Sequence, residues 1–175
     1  WAKRGTTYDY ADLVDMAREA PAFETVIDVR DPLFLNPDDM LDAIAAHCKN
    51  TGQRPPEGAG PTARAILEGL ALRYAVTLDE LERLTGRRIG RVHMVGGGIR
   101  NELLCQLASD AMDRPVIAGP IEATAIGNLV TQAIATGLLA DRTAARRLIA
   151  DSTSLRIFEP RDAGLLCGPP EVRSR

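Results

Sequence analysis

The sequence has few of the residues that build metal centres and disulfide frameworks. Its 175 positions hold two histidines, His47 and His93, and three cysteines, Cys48, Cys105 and Cys167. The histidines stand apart from any ligand cluster, and the cysteines are odd in number without CxxC spacing. Neither a zinc site nor a set of disulfides is therefore predicted, and buried, idle thiols are expected. Long apolar runs are also missing. Nothing approaches the ~20 consecutive apolar residues that span a bilayer, and no basic-then-apolar leader precedes the first helix. One sign of charge does not dominate either: 21 Lys and Arg face 24 Asp and Glu, a formal charge of −3. That balance argues against nucleic acid or an anionic membrane as partner, and the expected location is the cytoplasm.

What remains is globular in composition, 45% apolar and 26% charged, enough for a domain that buries roughly 70% of its unfolded surface. The chain begins at Trp1, followed by Ala2, Lys3 and Arg4, which reads as a piece of a longer protein.

Residues 9–20 carry Ala11, Leu13, Val14 and Ala17 at helical spacing up to Pro21, predicting a short helix. The alternation over 23–28 predicts a strand before the Asp31-Pro32 turn. Asn36 as cap, Pro37 at the first helical position and Asp38 and Asp39 in the first turn predict a helix over 37–48. NTGQRPPEGAGP (50–61) has three prolines and three glycines and is expected to be a loop or boundary. From Thr62, the recurrence of Ile66, Leu67, Leu70, Ala71, Tyr74, Leu78 and Leu81 predicts a long amphipathic helix that Gly86 ends. Strands at 91–95 and 115–118 alternate with helices at 101–112 and 123–139, the last one foreseen. That order implies adjacent parallel strands with crossover helices, an α/β layer structure. Two strands cannot complete such a sheet; 155–158 is a further candidate, and the rest are expected upstream of Trp1. In the last helix Ala123, Gly127, Thr131 and Ala135 form a stripe of small residues, expected to pack closely on a neighbour.

The most informative segment is VHMVGGGIRNELL, residues 92–104. A strand ends in Gly96, Gly97 and Gly98, and a helix starts three residues later, at the sheet end where α/β proteins hold ligands. Without a Cβ, glycine lets a flat base or a phosphate approach the main chain. Asn101 can cap the helix or turn its amide to a ligand. The dinucleotide fingerprint fails because Asn101 stands where Gly or Ala is required, and no ribose-binding acid follows the next strand. The phosphate loop G-x-x-x-x-G-K-[ST] is absent, and Glu102 in the first turn would repel an embedded polyphosphate. Contact with a nucleoside or its first phosphate is the reading. Glu122 and Asn128 could face the same cleft but are assigned solvated cap and surface roles. Asp110 and Asp113 are expected to face solvent.

Residues 92–139 (VHMVGGGIRNELLCQLASDAMDRPVIAGPIEATAIGNLVTQAIATGLL), with IDVRDPLFLNPDDM (27–40) and ARAILEGLALRY (63–74), resemble the carboxyl-terminal part of a sugar kinase of the FGGY family. The resemblance extends over nearly the whole chain. It implies an α/β fold of the ribonuclease H-like, actin/hexokinase ATPase type, here a partial C-terminal domain lacking upstream strands. Residues 1–61 would be a helical or inserted segment, 62–160 the nucleotide-binding core and 161–175 a loose tail. It also implies transfer of the ATP γ-phosphoryl group to L-rhamnulose or a related ketose, with Mg²⁺ bridging the phosphates. Matching nucleotide contacts are Gly97, against the adenosine, and Asn101, beside the adenine and α-phosphate, with Gly96 and Gly98 permitting the approach. The family's catalytic Asp, phosphate hairpin and most sugar contacts fall before Trp1, so no catalytic or metal-binding residue is assigned here. The implied partner is the N-terminal half of the same kinase, and without it self-association through uncovered apolar surface is expected. The competing class is a freestanding nucleotide-binding or interaction module without catalysis. An upstream reading frame carrying a glycine-rich hairpin and an Asp separates the two.

Overall fold

Apolar residues at three- and four-residue intervals produce one dominant helix, and the other elements gather along it. The computed structural model describes residue 1 and residues 5–161. Helix α1 spans Tyr10–Glu19, α2 Met40–Asn50 and α3 Ala59–Thr85. Then follow β1 (Val92–Met94), a 3₁₀ turn (Gly97–Arg100), α4 (Glu102–Met112), β2 (Val116–Ala118), α5 (Ala123–Ala135), α6 (Arg142–Ser152) and β3 (Arg156–Phe158). Strand β2 lies in the middle of the sheet. It runs parallel to β1, with Val92 opposite Val116, and antiparallel to β3, with Val116 opposite Phe158.

Helix α3 is 27 residues long, about 40 Å at 1.5 Å per residue, and serves two apolar clusters. Near its start Ala65 packs with Ile27, Ile44 and Cys48. Near its end Leu78 packs with Ala108 and Met112 of α4 and Val116 of β2. Gly86 closes the helix in the left-handed conformation, φ 64°, as the sequence predicts. Cys48 and Cys105 are buried free thiols, with burial pushing both thiol pKa values up. Cys167 and residues 162–175, where the loose tail was expected, lie outside the described residues.

Several sequence expectations are corrected. Residues 23–28 form no strand. Their polar backbone is taken up by side chains instead: Phe23 N–H donates to Glu68 (3.0 Å) and Val26 N–H to Gln53 Oε1 (2.8 Å). Gln53 Nε2 in turn donates to the Val26 carbonyl (3.0 Å). Helix α2 starts at Met40, not Pro37, because Asn36 takes φ 61° and Asp39 is the cap, accepting from the Leu41 and Asp42 amides. Upstream, Asp31 accepts from Leu33 N–H (3.0 Å) and lies 2.6 Å from Nδ1 of buried His47. The bond to His47 holds the Asp31 pKa below the usual carboxylate range. Helix α3 begins at Ala59, inside the expected loop; Pro61 falls in its first turn, where its missing N–H costs nothing. The expected last helix stops at Ala135, with Gly137 at φ 77°. A further helix, α6, follows, capped by Asp141 through the Thr143 and Ala144 amides.

The small-residue stripe of α5 finds no neighbour among the described residues: the helix buries no side chain, and a Cβ on Gly127 would meet nothing within 4 Å. Gly127→Ala is therefore expected to stabilise this chain by about 0.5–1 kcal/mol, the ordinary gain for removing a helix glycine. Urea unfolding checks it; a loss of stability would mean that the face is packed.

Candidate functional site

Because β1 and β2 are parallel, their carboxyl ends lie side by side, the position at which open α/β sheets bind ligands. Each end runs into a glycine turn, and backbone bonds lace the two together. Gly119 N–H donates to the Met94 carbonyl (2.9 Å) and Gly96 N–H to the Pro120 carbonyl (3.2 Å). Gly96 (φ 86°) and Gly119 (φ 129°) occupy conformations that disfavour any side chain. At Gly119 a Cβ would also stand 2.9 Å from Leu155 Cδ2.

Gly97 and Gly98 differ in kind. Neither has a positive φ, and a Cβ on either would meet nothing within 4 Å. The fold itself makes no demand for glycine there, yet both are exposed, leaving bare main chain open above the sheet end.

Asn101 lies beneath this turn and is buried, with 2% exposure. Its Oδ1 accepts from Leu104 N–H (3.0 Å), capping α4, and its Nδ2 donates to the Tyr10 hydroxyl (3.1 Å). Its backbone N–H donates to the Gly98 carbonyl (3.1 Å), so the residue ties the glycine turn both to α4 and to α1. Tyr10, 91 residues away, gave no sequence signal, and neither did the bond from Gly96 to Pro120.

Glu102 opens α4 and is engaged by Arg156 of β3. That bond keeps the exposed Glu102 carboxyl pKa below its ordinary value, and the Arg156 guanidinium sits 5.5 Å above the Phe158 ring. Glu122 and Asn128 are exposed, and Glu122 makes no side-chain cap bond. Asp113 is exposed, but Asp110, expected in solvent, is half-buried. Its Oδ1 accepts from Gln106 (2.7 Å) and from Arg161 N–H (2.9 Å), so it has a structural job. Among the described residues no three His, Cys, Asp or Glu side chains meet in a way that could hold a metal ion. No helix among them is long and apolar enough to cross a membrane.

The chain belongs to the FGGY family of carbohydrate kinases: the model of that family's C-terminal domain matches residues 1–136. Within the family it is similar to rhamnulokinases. It is 50% identical to that of Enterococcus faecalis over 132 residues, covering 74% of this chain and 27% of that protein. It is 39% identical to that of Bacillus subtilis over 155 residues, 89% of this chain and 32% of that protein. The chain thus spans about a third or less of the length of these relatives. Among solved structures, xylulose kinase from Rhodospirillum rubrum superposes with a TM-score of 0.55 at 22% identity, covering 93% of this chain and 30% of that one. Ligand-bound xylulose kinase from Lactobacillus acidophilus gives 0.55 at 16% identity, covering 92% and 31%. The fold is accordingly the ribonuclease H-like ATPase type, represented by part of its C-terminal domain.

Proposed function

We propose that this chain is the adenosine-binding side of an ATP-dependent sugar kinase of the cytoplasm whose acceptor is L-rhamnulose, giving L-rhamnulose 1-phosphate. The observation that carries the reading is the pair of glycines, Gly97 and Gly98, at the carboxyl end of β1, where no described atom lies within 4 Å of an added Cβ. A bare, exposed main chain in that place suits a flat purine nucleoside. The similarity to rhamnulokinases supports the sugar. Residues 62–160 then form the nucleotide core and 1–61 a helical segment that braces it through Tyr10.

In this reading Gly96 sets the turn, Gly97 and Gly98 receive the nucleoside, and Asn101 positions them by holding the Gly98 carbonyl from below. Phosphoryl transfer depends chiefly on alignment and on neutralising charge, and this chain supplies alignment. The proton-accepting carboxylate and most sugar contacts belong to the remaining two thirds of a kinase of the relatives' length, the N-terminal partner, so the chain alone should not turn over. It offers no protein cage for Mg²⁺ among its described residues, and the ion enters the proposal only as a companion of the ATP phosphates.

In the complete kinase, Gly97→Val is expected to raise the ATP KM on the order of tenfold and leave the sugar KM in place. The melting temperature should change little, because a Cβ at Gly97 meets no described atom within 4 Å. Steady-state kinetics with each substrate varied in turn decides it; an unaltered ATP KM removes Gly97 from the site.

A further inference from the structure

The end of α3 borders an open hollow of about 840 Å³, at the pole of the sheet opposite the glycine turns. Gly86 ends the helix six residues before β1, and Arg114 stands two residues before β2, so the hollow sits at the amino ends of both strands. Its walls include Arg83, Arg87, Arg88 and Arg114, with Asp79 and Glu82 as the acidic members.

One of these arginines is already committed. Arg114 donates through Nε to the Ile89 carbonyl (2.9 Å) and through one Nη to the Asp113 carbonyl (2.6 Å). Its other Nη lies 3.7 Å from Glu82, and Glu82 also accepts from Ile89 N–H (2.6 Å). These bonds fix one wall. Arg83, Arg87 and Arg88 make no hydrogen bond or ion pair through their guanidinium groups among the described residues. Three uncommitted cations therefore border one concavity, and the carbonyl end of α3 offsets only part of their mutual repulsion.

We propose that this hollow binds a small phosphate-bearing anion, separately from the nucleotide. Guanidinium forks pair bidentately with phosphate oxygens, and three of them outnumber the one acid of the lining, Asp79, that Arg114 does not hold. The same lining sets the size of the ligand. An extended polyanion such as a nucleic acid needs a broad basic surface, which a chain of net charge −3 does not offer, whereas a compact anion needs only the arginines of this hollow.

The test is calorimetric titration of the 175-residue chain with inorganic pyrophosphate at low salt. One site is expected, weakening as salt rises and binding pyrophosphate more tightly than citrate. Saturating adenosine should leave it undisturbed. The triple variant Arg83→Gln, Arg87→Gln, Arg88→Gln should lose at least tenfold in affinity. Each single variant should lose a smaller factor, so the singles carry the test if the triple variant does not fold. The proposal is overturned by absent binding, by displacement with adenosine or by a preference for citrate. Variants that lower the melting temperature of the free chain but leave the pyrophosphate titration unchanged would also overturn it, by assigning the arginines to the helix end alone.

Discussion

Arg64→Ala is expected to destabilise the fold by about 3–5 kcal/mol, the usual cost of stripping the partner from a buried ion. Glu68, on α3, has 1% exposure and is among the largest fully buried side chains. Arg64 Nε donates to its Oε1 (2.5 Å) one helical turn away, and Phe23 N–H donates to its Oε2 (3.0 Å). Arg64 also reaches the Ala17 carbonyl (3.4 Å), so the pair ties α3 to α1 and to the irregular stretch at Phe23. Desolvation dominates here and raises the Glu68 pKa, against the lowering effects of Arg64 and of the Phe23 amide. A carboxyl whose folded pKa is raised contributes fully below its unfolded value and loses that contribution as pH climbs through the folded one. Without Arg64 the folded pKa moves further up. The deficit of the variant should then be largest at neutral pH and shrink as acid protonates Glu68. Denaturant unfolding at several pH values measures this, and a deficit that does not vary with pH would mean that Glu68 does not carry it.

Gly69→Ala, one residue further along α3, is expected to cost about 2–3 kcal/mol, toward the upper end for overpacking. Its Cβ would stand 2.5 Å from the Ile27 carbonyl oxygen and 3.2 Å from Val29 Cγ1. The first contact is with backbone, which cannot swing aside as a flexible side chain can. Nor is that backbone loose, because Gln53 holds both the N–H and the carbonyl of neighbouring Val26. Read against Gly127→Ala, the same chemical change in two helices should have opposite signs. A Gly69→Ala protein with unchanged urea midpoint would show that the 23–29 segment yields.

The readable parts of the molecule were those decided within a few residues. A short β-branched run, three glycines and an Asn at a helix start signal a parallel βαβ unit, and that unit is present from β1 to β2. Gly86 as the stop of α3 and Asn101 as the cap of α4 are local in the same way. The departures come from contacts that bridge the chain. Residues 23–28 have strand-like alternation, but Glu68, 45 residues on, and Gln53, 27 residues on, take their amides and no second strand is needed. The antiparallel placement of β3 depends on β2, not on the sequence of β3. Helix α6 was missed although Asp141 is a strong cap, because Arg142, Arg146, Arg147 and Asp151 leave it polar overall, with Ala145 as its buried residue. At the candidate site the glycine turn was legible. That Asn101 spends its amide on Tyr10 was not.

Helix α3 gives one wall to each of the two apolar clusters, and this makes it the mechanical spine of the chain. Loss of either cluster strips that rod of much of its packing and weakens the support of the other. Heating should therefore dissolve both together, and the slowest-exchanging amides should lie along the middle of that rod, where the two halves of the molecule have their stability in common.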